Sequence, residues 1–118
     1  MKFILQTLLF LMTWKFGYAS EKYNLVYVEQ QGCFYCEIWD EEIAHIYPKT
    51  REGQFAPLIR LDIANYETTM DYVKPVVFTP TFILTKDSSE ISRVEGYIGD
   101  DLFWGMLEVM LKRETNYK

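Results

Sequence analysis

The chain has 118 residues, with 17 acidic against 12 basic side chains, a formal charge of −5 and 49% hydrophobic content. That length suits one folded domain and not two, and the acidic balance argues against a nucleic-acid partner. No repeat, low-complexity tract or Gly/Ser-rich linker interrupts it, so no second module is expected.

Residues 1–19 read as an export leader. Lys2 opens an apolar run from Phe3 to Trp14, and Gly17-Tyr18-Ala19 supplies the small-x-small pattern after which a signal peptidase cuts. The run is shorter than the ~20 residues of a membrane span, although an uncleaved anchor is a competing reading. Residues 20–118 then form the folded, exported domain. Losing Lys2 and Lys15 with the leader makes that domain more acidic still.

The first predicted element is a strand from Tyr23 to Glu29, whose Leu25-Val26-Tyr27-Val28 run is continuously apolar and suits a strand covered on both faces. Gln30-Gln31-Gly32 turns the chain. From Cys36 onward Trp39, Ile43, Ile46 and Tyr47 recur at helical spacing opposite Glu37, Asp40, Glu41 and Glu42, which predicts an amphipathic helix ending near Pro48. Pro57 to Ile63 reads as a second strand and Tyr66 to Val73 as a short helix. The apolar run Val76 to Leu84 reads as a third strand broken by Pro80, a conflict that disappears if Pro80 stands at the strand's start, compatible with a cis Thr79-Pro80 bond. Lys86 to Ser89 is a turn into an edge strand, Glu90 to Glu95. The last helix, Asp100 to Arg113, begins with acids and ends with bases as its dipole favours, and is expected to bury Leu102, Phe103, Met106, Leu107, Met110 and Leu111.

Both cysteines sit in Cys33-Phe34-Tyr35-Cys36, one helical turn apart behind the first strand. At a helix N-terminus unpaired N–H groups favour a thiolate at Cys33, and Cys36 at i+3 is close enough to resolve a mixed disulfide. Two plainer readings compete. A structural staple across so short a ring would remove little chain entropy, and a metal site lacks ligands because His45 is too far along the helix to join the two thiols. No metal and no cofactor is therefore expected. The helix dipole lowers the Cys33 thiol while Glu37 and Asp40 oppose it, so moderate activation, and with it a reductase, is the expectation. Phe34 and Tyr35 are expected to stand exposed and to grip a partner, whereas Trp39 and Trp104, at helical spacing, are expected in the core.

The order β-α-β-α-β-β-α, with Cys-x-x-Cys opening the first helix and Thr79-Pro80-Thr81 beginning the third strand, resembles the thioredoxin superfamily. The resemblance implies an α/β thioredoxin fold, a mixed four-stranded sheet flanked by helices. The segments Val28 to Cys36, Phe78 to Phe82 and Glu95 to Trp104 are similar to those of the SoxS-type periplasmic thioredoxins that accompany bacterial sulfur-oxidation systems. It implies a periplasmic, monomeric thiol–disulfide oxidoreductase with Cys33 as nucleophile and Cys36 as resolving thiol. Substrate would align against Thr79 and Pro80. Its implied partners are a disulfide-bearing exported protein, in this group a sulfur carrier whose reactive cysteine is kept free, and a membrane thiol-electron transporter as reductant. Two departures from ordinary thioredoxins stand out: Phe34-Tyr35 replaces Gly-Pro, and Tyr27 occupies the place of a buried aspartate. Glu29 is the nearest alternative base, read here as a solvated strand-end carboxylate. A non-catalytic adaptor or metallochaperone on the same fold is the competing function.

Overall fold

The structure is a computed structural model and describes residues 21–118. The expected leader, 1–19, lies outside them. Strand β1 (Tyr23–Glu29) occupies the middle of the sheet. Its alternate side chains explain its unbroken apolar run: Leu25 and Tyr27 join one core cluster, Val26 and Val28 the other.

Four strands in the order β2-β1-β3-β4 make the sheet, with β2 (Leu58–Asp62) parallel to β1 and β3 (Thr81–Lys86) and β4 (Ser89–Glu95) antiparallel. The β3–β4 hairpin turns through Asp87 and Ser88, both at positive φ, the two-residue geometry that matches strand twist. Helix α3 (Asp100–Glu114) packs on the Tyr27 face through Phe103, Leu107, Met110 and Leu111. Leu102 and Met106, expected in the core, are instead 44% and 40% exposed, because they flank the buried stripe and open towards the outer edge of β4.

The helix predicted to run unbroken to Pro48 is divided. Helix α1 (Phe34–Trp39) widens into a π-helical segment (Asp40–Ala44), and after a 3-10 turn (Tyr47–Lys49) a separate helix α2 (Arg51–Phe55) follows. Trp39, Ile43 and Tyr47 are buried as expected, but Ile46 is exposed. Thr50 caps α2 by accepting the Gly53 N–H at 3.0 Å. Only glycine fits at position 53, since a Cβ there would lie 1.8 Å from the Tyr47 carbonyl oxygen.

A larger difference lies between β2 and β3, where the expected helix from Tyr66 to Val73 is a series of turns. The Thr69 hydroxyl donates to the Tyr66 carbonyl and takes the acceptor a helix would need, in a segment already rich in β-branched and aromatic residues. The loop nevertheless covers the sheet's second face, burying Tyr66 and Val76 against Val26, Val28 and Ile83. Beneath it, Glu90 and Arg93 of β4 form an ion pair at 2.6 Å, with side chains 4% and 7% exposed.

Burial opposes the charge on Glu90, yet the bonds from Arg93 and from the Val73 amide outweigh it and hold its pKa below the ordinary 4.5. A carboxylate lowered in the folded state contributes stability that is complete above 4.5 and is lost as pH falls through the folded value. Urea unfolding across that range should therefore show a steeper acid loss for the native chain than for Glu90→Gln. Equal slopes would contradict this account of the pair.

Candidate active site

Beyond β1 the chain reverses at Gly32, whose φ of 79° is a left-handed conformation that glycine adopts without strain. Cys33 then donates its N–H to the Gln30 carbonyl at 3.1 Å and takes the N-cap position of α1, where its sulfur accepts the Cys36 N–H at 3.2 Å. That amide donor and the helix start favour negative charge on Cys33 sulfur, as the sequence implies. The two cysteines form a disulfide with Cα atoms 5.2 Å apart. They are not equivalent. Cys33 is half-buried, whereas Cys36 is 4% exposed.

Tyr27 explains the burial of Cys36. Its side chain rises from the centre of the sheet, packs on Trp39 and Phe82 at ring distances of 4.5 and 5.4 Å, and donates its hydroxyl to the Cys36 carbonyl at 3.2 Å. Burial, reinforced by the charges of Asp40 and Glu29, pushes this phenol well above its ordinary pKa of 10.0, so it stays a donor. Glu29 is held at 2.8 Å by Arg60, which grips Asp40 at 2.6 Å and lies over the Tyr27 and Trp39 rings. These pairs are more than a third solvent-exposed overall and contribute about 0.2–1 kcal/mol each. The Glu29 carboxylate is thus engaged by Arg60 at the strand end.

Phe34 and Tyr35, between the cysteines, are 65% and 54% exposed, as expected, and the exposed Phe78 and Ile98 share a cleft with Tyr35. Tyr35, Phe78, Thr79 and Gly96 are among the walls of a cleft of about 460 Å³, so the cysteine turn and the segment before Pro80 meet there. The Thr79-Pro80 bond is cis, and β3 begins immediately after it. Pro80 is buried and its carbonyl accepts the Gly96 N–H at 2.7 Å. Among the described residues, the Thr79 amide and carbonyl enter no backbone hydrogen bond. Phe78 and Ile98 escaped the sequence reading as cleft residues, although Pro80, read as the strand's start, already left Phe78 outside the ladder.

A pair of sulfurs so placed can open and close by exchange with an outside thiol, and a protein built around it is a thiol–disulfide oxidoreductase. No family model and no curated protein matches the sequence. Among solved structures, the periplasmic thioredoxin SoxS from Paracoccus pantotrophus, in its reduced form, is 43% identical with a TM-score of 0.75, over 78% of this chain and 98% of its own. Fasciola hepatica thioredoxin (20% identity, TM-score 0.55, 80% of this chain and 82% of its own) shares the fold. So does a malaria parasite thioredoxin-2 (15%, 0.53, 75% and 84%). The chain belongs to the thioredoxin superfamily, among its SoxS-like members.

Removing the Tyr27 hydroxyl tests its part directly. Tyr27→Phe should lower unfolding free energy by about 1 kcal/mol, the net worth of one buried hydrogen bond. The pH profile of disulfide reduction should keep its shape, since a phenol protonated throughout takes no part in it. A profile that changes shape would show Tyr27 exchanging a proton.

Proposed function

We propose that this oxidoreductase works in the periplasm as a reductase of disulfides on exported partner proteins. The observation that carries the reading is the unequal burial of the two sulfurs, beside the exposed aromatics Phe34 and Tyr35. In the reduced protein, the Cys33 thiolate attacks one sulfur of a partner disulfide. A Cys33–partner bond forms, the partner's S–S bond breaks, and the displaced sulfur leaves as a thiolate. Cys36, deprotonated by that thiolate or by water, then attacks Cys33 sulfur and expels the second partner thiolate. Two electrons pass to the partner, and the Cys33–Cys36 disulfide remains.

Tyr35, with Phe34 exposed next to it, grips the partner on one side of the cleft, and Phe78 and Ile98 on the other. Thr79, its backbone groups unengaged beside Pro80, suits an extended segment that needs main-chain partners. By the sequence resemblance to the SoxS-type group, the substrate would be a sulfur-carrier protein, whose reactive cysteine the enzyme would free of unwanted disulfides. Electrons would then reach the oxidised dithiol from a membrane thiol transporter.

Cys36→Ser should accumulate a covalent adduct between Cys33 and partner protein, released by added dithiol and absent from Cys33→Ser. Identifying the adduct names the substrate. If no adduct forms in cells that make the Cys36→Ser protein, the resolving role of Cys36 fails.

A further inference from the structure

The segment that carries Val77, Phe78, Thr79 and Pro80 emerges from the loop that replaces the expected helix, so something other than helical hydrogen bonding must aim it. The attachments of that loop converge on β4. The Asp71 amide donates to the Ser88 carbonyl and its carbonyl accepts the Glu90 N–H, at 2.9 and 2.8 Å. The Val73 N–H donates to the Glu90 carboxylate at 3.0 Å. Arg93 then reaches the two carbonyls that precede the exposed segment, Lys74 at 2.8 Å and Pro75 at 3.3 Å.

The geometry of Arg93 leaves little of its donor capacity idle. Its Nε and one Nη2 hydrogen fork onto the Glu90 carboxylate, both at 2.6 Å, while the remaining face of the guanidinium serves the loop carbonyls. A lysine could neutralise Glu90 but could not span carboxylate and carbonyls in one plane. Nor is the pair explained by stability alone, because ion pairs buried this deeply are commonly replaceable by apolar side chains without loss. What apolar packing cannot supply is a fixed direction for the Lys74 and Pro75 carbonyls. From Pro75, with its constrained φ, four residues lead to Pro80.

We propose that Glu90 and Arg93 are positioning residues for substrate, holding the Phe78-Thr79 wall of the cleft in the orientation that receives a protein disulfide. The inference rests on the reading that partner proteins bind at that wall. It gives β4, whose outer edge carries no redox chemistry, a role in recognition. Small disulfides, which need the dithiol but not the wall, should be indifferent to it.

The test compares reduction of insulin with reduction of a small aromatic disulfide by the full chain, together with the midpoint potential of the dithiol. Two variants are used. Arg93→Lys keeps the charge pair and loses the fork, and Glu90→Gln/Arg93→Met removes both charges together so that neither is left buried alone. Each should raise KM for insulin about fivefold or more, in line with one or more lost positioning bonds. The kcat, the rate with the small disulfide and the equilibrium constant for dithiol oxidation, read from the potential, should stay within about twofold, too small a change to reflect a lost hydrogen bond. An unchanged KM, or an equal loss on both substrates in a folded variant, would overturn the inference. A native chain that reduces the small disulfide but not insulin would instead defeat the reading of protein substrates on which it rests.

Discussion

The hydroxyl of Tyr27 reaches out of the middle of the sheet to the carbonyl of Cys36, and this bond joins the core to the redox turn. Because Tyr27 is itself wedged between Trp39 and Phe82, the position of Cys36 is set by packing that extends to Phe103 on α3. Aromatic pairs of this kind contribute about 0.5–1.5 kcal/mol each beyond their buried area, enough together to keep the start of α1 seated. One sulfur is therefore fixed inside and the other is left at the surface. Tyr27, protonated throughout, offers no proton acceptor beneath the dithiol.

The sheet divides the labour between its faces. Tyr27, Phe82 and Leu84 face the helices and support the cysteine turn, while Val26, Val28 and Ile83 face the irregular loop that leads to Pro80. Neither face alone makes the cleft. Its two walls come from chain segments far apart in sequence, one held by aromatic packing and the other by the Glu90–Arg93 pair.

Much of this was legible in the residues. The unbroken apolar run of β1 announced a strand covered twice, Pro80 in an apolar run announced a strand start, and the acids and bases at the two ends of α3 bounded that helix closely. Cys33 and Cys36 were legible because their spacing has a chemical meaning independent of the fold. The errors have a common cause, which is that periodicity reports apolar side chains without saying what satisfies the backbone. Tyr66 and Val76 are buried by a loop because side-chain oxygens such as that of Thr69 take up backbone groups. The interruption of α1 similarly depends on a wider turn and on the Thr50 cap, visible only as a threonine three residues before a glycine. The exposure of Leu102 and Met106 reflects where β4 ends in space, which no pattern within α3 records.

The central claim is that the fold makes the two sulfurs unequal, with Cys33 available to an outside molecule and Cys36 withheld. Its most direct measurement is alkylation of the fully reduced native protein at neutral pH, followed by mapping of the modified peptide. The account predicts that Cys33 is modified first and that Cys36 reacts at a comparable rate only after unfolding. Equal rates in the folded protein, or faster modification of Cys36, would contradict it.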